Sequence, residues 1–343
     1  MSSSITRLTC LQRRRASMRT TRRYLVWLVI GALILGMLST DALAQQQRRL
    51  VTIASGWVVG VYYPLAGAIS RILYKVKDLN IRATVESSGA SVANAQLIGT
   101  GDADFAILQN DIAYYAYNGT TLGAFKDKPI KNMGGVFSMY PELVQLVATK
   151  ASGIRTVRDL KGKKVVLGPT GSGTEANALQ IMEVHGLKEA DLGKAERIDA
   201  AAATDQLKDG RVDAGFFTVG LGAAAIMDAF LTGKVALVPI TGPEAEALIK
   251  KYSFYTSVPI PANTYKDQAE VKTVAVMAMM VARSDLPEEL VYNVTKAIFD
   301  DLKTLHDAHA AGRNLTLQTA LNGMPIPLHP GAARFYKEKG VMK

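Results

Sequence analysis

QLIGTGDADF at residues 96–105 and QLKDGRVDAGFF at residues 206–217 carry one pattern twice. Each reads Gln-Leu, a few residues, G-x-x-D, and then an apolar run that suits a buried strand. Two copies without a third point to two similar lobes rather than to a solenoid, which needs three or more stacked repeats. Upstream of each copy lies the same grammar of strand, glycine-containing turn and helix. In the first half LVTIAS (50–55) is a strand and GWVVGVYYP (56–64) a turn. Val61, Leu65, Ile69, Ile72 and Val76 then recur at helical spacing, with Pro64 in the first turn, where a missing N–H costs little. IRATVE (81–86) is a second strand, closed by SSGAS with Ser91 as the expected cap of a helix through Ile98, and ADFAIL (103–108) is a third.

The second half repeats this order. KKVVLG (163–168) leads into PTGSGTEANALQIM, where Ser172 and Glu175 have the spacing of a capping box, and Gly186 stops the helix. ERID (196–199), a helix over Ala201–Asp209 and DAGFFTVG (213–220) come next. Strands alternating with helices predict an α/β fold with a mostly parallel sheet. LVQLVAT (143–149) leaves the first lobe and VKTVAVMAMMVA (271–282) returns to it, so two crossing strands predict a hinge on which the lobes close around a ligand. The final stretch is expected to supply a helix from Pro287 to about His306 and segments that rejoin the first lobe. The expected boundaries are a leader over 1–44, lobe 1 over 45–143 plus 277–343, and lobe 2 over 144–276.

Residues 1–44 differ in kind from the rest. Seven Arg between Arg7 and Arg23 precede the uncharged apolar run YLVWLVIGALILGML (24–38), and ALA at 42–44 comes after it. That is the layout of a cleavable signal peptide, so export to the periplasm with cleavage after Ala44 is expected. The apolar run is short for a membrane span. The pair Arg22-Arg23 resembles a twin-arginine signal, and Sec export is the expectation. Of 40 basic and 30 acidic residues, this leader holds seven and one, leaving 33 against 29. The basic balance of the whole chain is therefore mostly a property of its leader, and no basic stripe remains to suggest a nucleic-acid partner.

Cys10, in the leader, is the only cysteine, so a disulfide framework, a thiolate nucleophile and a cysteine metal site are all excluded from residues 45–343. GPTGSGT (168–174) has the spacing of a phosphate loop without its lysine, and no G-x-S-x-G elbow occurs. His306 and His309 read as an exposed helix face rather than a metal pair. No cofactor and no enzymatic activity are expected. What remains is three turns, 56–63, 88–91 and 168–174, each after a strand and before a helix, where ligands of open α/β sheets bind. Helix-start N–H groups there hold anions, with Ser88, Ser91, Thr170, Ser172 and Thr174 as added donors. Trp57, Tyr62 and Tyr63 offer aromatic walls, and Phe217 rather than Phe216 is expected to face the cleft, since neighbours on a strand point to opposite sides.

GVYYPLAGAI (60–69), ESSGASVANAQLIGTGDADFAILQNDIAYYAYNG (86–119), GPTGSGTEANA (168–178), DAGFFTVG (213–220) and PLHPGAARFYKEKG (327–340) together resemble the TAXI solute-binding proteins of tripartite ATP-independent periplasmic (TRAP) transporters. The resemblance implies a type II periplasmic-binding-protein fold and delivery of a small carboxylate, such as glutamate or 2-oxoglutarate, to TRAP membrane permease subunits by a monomeric protein. It implies a pocket of Tyr62, Tyr63, Ser91, Asn94 and Gln109 facing Thr170, Ser172, Gly173, Thr174 and Phe217. Trp57 departs from the family's threonine-and-glycine-rich first turn and is expected to narrow that side. No arginine lies in the three turns, so helix ends and hydroxyls would carry the anion. The same fold also suits a periplasmic sensor subunit that signals to a membrane kinase.

Overall fold

The computed structural model describes residues 48–342. The expected leader and its cleavage site after Ala44 lie outside the described residues. The unit Arg49–Lys343 carries the fold, and among the described residues no helix is long and apolar enough to cross a membrane.

Ten strands form one sheet in the order β2-β1-β3-β10-β4-β7-β5-β6, with β8 (Val235–Val238) beside β4 and β9 beside β10. The order has an internal symmetry. β1 (Arg49–Ala54) lies between β2 (Ile81–Glu86) and β3 (Phe105–Gln109), all parallel. β5 (Lys164–Val166) lies in the same way between β6 (Lys194–Glu196) and β7 (Ala214–Val219). Each parallel trio is then flanked by an antiparallel strand that arrives from the other half of the chain, β10 (Val271–Arg283) on β3 and β4 (Met133–Thr149) on β7.

The repeated Gln-Leu…G-x-x-D motif builds the junction in each half. Gly101 (φ 84°) and Gly210 (φ 70°) end the preceding helices, α2 (Ser91–Thr100) and α5 (Ala200–Asp209), in the left-handed region that a side chain disfavours. Three residues on, the Asp104 carboxylate accepts the Thr52 N–H of β1 at 2.9 Å, and the Asp213 carboxylate accepts the Lys164 N–H of β5 at 2.8 Å. One local device thus ties the third strand of each trio to its middle strand.

β4 and β10 are the long elements, and both change partners along their length. β4 pairs with β10 up to Leu143 and with β7 over Leu143–Ala148. β10 pairs with β9 (Thr256–Ile260) over Val271–Ala275 and with β3 over Ala278–Ala282, with register irregularities at Met277/Met279 and Met280/Val281. The expected strand at 143–149 is only the last part of β4, because Gly134 and Gly135 belong to the strand and not to a turn. A Cβ at Gly135 would lie 2.3 Å from the Met324 sulfur, and one at Gly134 3.0 Å from His329 Cα. The glycines let the C-terminal segment lie directly on the strand, where Gly135 and Leu328 form a parallel bridge.

Helices cover both faces of the sheet. α1 (Tyr62–Lys75) buries Leu65, Ile69 and Ile72 against it at i, i+4 and i+7. The long helix expected from Pro287 to His306 is two, α8 (Glu288–Asp300) and α9 (Leu302–Ala308), because Asp301 leaves helical geometry and its carboxylate caps Thr304 N–H. His306 and His309 do not form an exposed face. His309 is half-buried and accepts the Ala311 N–H at 3.1 Å. α10 (Pro330–Glu338) closes the chain against α8.

Gly331 is where α10 and α8 approach most closely, since a Cβ there would stand 2.2 Å from the Glu288 carbonyl oxygen and 2.5 Å from Tyr292 N. Both are helix backbone and cannot swing aside. Gly331→Ala is therefore expected to lower unfolding stability by about 1–3 kcal/mol through overpacking, read as a lower urea midpoint at unchanged slope. An unchanged midpoint would show that the two helices have slack.

Candidate functional site

A pocket opens beyond the carboxyl ends of β1, β3 and β7, beside the point where β4 changes partners. Gly56, Trp57, Gly60, Val61 and Tyr62 line it from the turn after β1, with Ala90 and Ser91 at the start of α2 and Gln109 at the end of β3. Gly173, Thr174, Thr218 and Val219 line it from the other half, and Glu142 stands between them on β4. The pocket encloses ≈ 330 Å³ of empty space, including the part open to solvent.

Tyr62, Ser91 and Gln109 meet because three elements start or end together. Gln109 N–H donates to Ser91 Oγ at 3.2 Å, Ser91 Oγ lies 3.4 Å from the Tyr62 hydroxyl, and that hydroxyl donates to Glu142 Oε2 at 2.5 Å. Across the pocket Thr174 Oγ1 accepts the Thr218 N–H at 3.1 Å, leaving its own proton for a ligand. Gly173 and Thr174 open α4 (Gly173–Val184), so their N–H groups precede its first intrahelical bond. Trp57 Nε1, Gln109 Oε1 and Thr218 Oγ1 are buried without a partner. Unsatisfied groups gathered around one pocket are what a polar ligand would complete. Ala90 holds φ 71° there, a conformation usually left to glycine.

The pocket brings together Trp57, Tyr62, Ser91, Gln109, Gly173 and Thr174 among the residues expected from sequence. It does not include the other five. Tyr63 is half-buried and turns away, because consecutive helical residues point about 100° apart. Asn94 is spent on structure: its amide donates to the Ser55 and Ile107 carbonyls and its oxygen accepts from Ser88. Thr170 is exposed on the turn before α4. Ser172 caps α4 by accepting the Glu175 N–H at 3.0 Å, while the Glu175 side chain takes the Gly171 N–H instead of closing a capping box. Phe217 is in the core with Val166 and Leu207, and its neighbour Thr218 faces the pocket. Ser91 is the first residue of α2 rather than its cap.

Glu142 and Thr218 were not among the expected residues. Glu142 had a legible signal: it is the one ionisable carboxylate in the run of β4, and burying a lone carboxylate in an apolar strand is costly unless something uses it. Burial pushes its acid up to about 8, with the like charge of Asp111 adding and the Tyr62 hydrogen bond opposing.

A second set of contacts joins the same two halves behind the pocket. Asn177 Nδ2, on α4, donates to Asp111 Oδ2 at 3.0 Å and to the Tyr255 hydroxyl at 2.6 Å. The Tyr255 hydroxyl donates to Gln180 Oε1 at 2.7 Å, and Gln180 Nε2 donates to the Tyr115 hydroxyl at 3.3 Å. Asp111 and Tyr115 belong to α3 (Asn110–Asn118), and Phe254 packs edge-on against Tyr115 at 5.8 Å between ring centroids. Ala93 N–H reaches the Gly171 carbonyl at 3.3 Å. Gly173 leaves no room for a Cβ, which would fall 2.1 Å from Gln109 Oε1. The halves are closed on each other.

Residues 53–340 match the model of the NMT1-like family. Among solved structures, PhnD1 of Prochlorococcus marinus (MIT 9301), in complex with methylphosphonate, superposes with a TM-score of 0.53 at 13% identity, covering 78% of this chain and 90% of that one. A protein of Bordetella bronchiseptica RB50 gives 0.51 at 16% identity, covering 87% and 90%. The binding protein component of an ABC phosphonate transporter from Pseudomonas aeruginosa gives 0.50 at 10%, covering 77% and 79%. At these identities the likeness shows the fold, the mixed α/β type II periplasmic-binding-protein architecture with its curled sheet.

Burial raises the Asp111 carboxyl to about 7 against the hydrogen bonds it receives. Its folded value lies above its unfolded one, so the native state holds the extra proton. Stability from this group is fully present below about pH 4 and is lost as pH rises to about 7, on the order of 4 kcal/mol at most. Asp111→Asn, compared with the parent in urea unfolding from pH 4 to 8, is expected to remove that decline. Parallel pH profiles would show that Asp111 titrates normally in the folded protein.

Proposed function

We propose a function from one premise: the chain belongs to the NMT1-like family. It is a solute-binding protein of the periplasm that captures a small carboxylate-bearing solute between two lobes and passes it to a membrane transporter. The observation that carries this reading is the pocket itself, walled from both halves of the chain and holding buried polar atoms that lack partners. Lobe 1 is taken as residues 45–143 plus 277–343 and lobe 2 as 144–276, meeting where β4 and β10 change partners. Helix-start N–H groups at Gly173 and Thr174 suit a carboxylate, and Trp57 Nε1 and Thr218 Oγ1 add donors. No catalytic step is part of this reading, and Trp57, Tyr62, Ser91, Gln109, Gly173, Thr174, Thr218 and Glu142 are binding residues in it.

The motif strings that resemble TAXI proteins favour glutamate, 2-oxoglutarate or a related acid as solute and a TRAP permease as recipient. A second reading rests on the fold relatives: one was solved with methylphosphonate and one serves an ABC phosphonate transporter, so an ABC permease is the rival recipient. Pull-down of the permease subunits from native membranes separates the two.

A solute that binds only the folded protein raises its melting temperature, so the purified chain is expected to show that rise with at least one small organic acid. Thr174→Ala is expected to weaken that solute roughly 5–10-fold, the worth of one hydrogen bond. Ser172→Ala is expected to lower stability by about 1 kcal/mol through the lost cap, with affinity held. The reverse pattern, affinity lost with Ser172 and kept with Thr174, would put the pocket in the wrong place.

A further inference from the structure

Glu142 is 2% exposed, lines the pocket, and has the Tyr62 hydroxyl as its one side-chain hydrogen-bond partner among the described residues. No Lys, Arg or His is among the residues that line the pocket with it. Gln109 Oε1, also buried and also at the pocket, has no donor at all. Two strong acceptors therefore sit at one end of a pocket whose other end offers N–H and hydroxyl donors at Gly173, Thr174 and Thr218. A ligand that was only an anion would satisfy the second end and leave the first unanswered. A carboxylate at this depth without a counter-charge is costly, and pairing it is worth more than pairing it at a surface.

We propose that Glu142 and Gln109 form an acceptor subsite for a protonated nitrogen of the ligand, so that the pocket selects solutes bearing an ammonium group beside a carboxylate over the matching oxo acids. This rests on the reading that the pocket binds a small carboxylate-bearing solute. The groups that face Glu142 make the consequence measurable. Tyr62 comes from α1 and Tyr140 from Glu142's own strand, both with phenols pushed well above their usual range by burial; Asp111 adds a like charge from α3; Thr174 and Thr218, neutral, come from the other half. Nothing among them supplies a positive charge. In the empty pocket at pH 7 burial keeps a proton on Glu142. An arriving ammonium takes the place of that proton, which leaves to the buffer, so affinity rises with pH until about 8. A ligand anion at the same place would keep the proton on.

The test is calorimetric titration of the purified chain at pH 7 with the proteinogenic amino acids, each paired with its 2-oxo counterpart, in buffers of different ionisation enthalpy. The amino members are expected to bind more tightly than their oxo partners by on the order of 10–100-fold, the range of a charge-assisted hydrogen bond, and to release a proton on binding. Glu142→Gln, which keeps an acceptor for Tyr62, is expected to remove both the preference and the release. Should Glu142→Gln fail to fold, the paired affinities and proton count of the parent protein decide alone. Oxo acids binding as tightly as amino acids, or with proton uptake, overturn the acceptor subsite while leaving solute binding intact. No binding by any member overturns the solute-binding reading and this inference with it.

Discussion

The antiparallel pairing of β4 with β10 governs both the joining of the two halves and the position of the pocket. Each strand begins in one half of the chain and ends in the other, so the two parallel trios share one continuous sheet although neither trio touches the other directly. β4 exchanges β10 for β7 at Leu143, and β10 exchanges β9 for β3 across its irregular register at Met277. A sheet that changes partners on both central strands at one level has its weakest ladder there. That level is also where Glu142 lines the pocket, so the partner change and the pocket share a residue neighbourhood. Small rotations about two strands move both walls of the pocket at once, as in hinge closure generally.

Closure is held by polar groups that are themselves poorly satisfied. Asp111, Asn177, Tyr255, Gln180 and Tyr115 form a chain of hydrogen bonds between the halves, yet Asp111 Oδ1 and Asn177 Oδ1 are left without donors. Gln109 Oε1, Thr218 Oγ1 and Trp57 Nε1 are in the same condition at the pocket. Each such group forfeits its hydration on closing. An interface of this kind favours the closed form only modestly, and under the proposed solute-binding function a ligand that supplies the missing partners makes the deciding contribution.

Much of the fold was legible because the signals are local. The Gln-Leu…G-x-x-D repeat states a helix end, a left-handed glycine and an aspartate that takes the N–H of the adjacent strand, all within ten residues of one another in sequence. The alternation of strand and helix and the return of residues 271–282 come from the same kind of reading. β4 was recognised only over its last part, because Gly134, Gly135 and Pro141 look like turn residues until the segment around Met324 and His329 is seen lying on them. Helix starts gave Ser91 and Thr174, and the family resemblance added Gly173. Side chains that depend on which face of a strand meets the cleft were harder. The alternation of β7 is plain, but only the assembled lobes show that Thr218 and Val219, at the end of the strand, line the pocket while Phe217 packs into the core. Asn94 was expected through the family resemblance alone, and a buried amide with three partners and a buried amide awaiting a ligand look alike in sequence.

The claim that two lobes close around a solute on these strands is tested most directly by a distance across the cleft. Spin labels at Lys128→Cys and Lys188→Cys, both at exposed positions, in a Cys10→Ser background, report the separation of the two halves by pulsed electron resonance. Without solute the account predicts a distribution that includes a longer, open population, and with saturating solute its collapse onto the shorter distance of the closed form. One narrow distance, identical with and without bound solute, would contradict it.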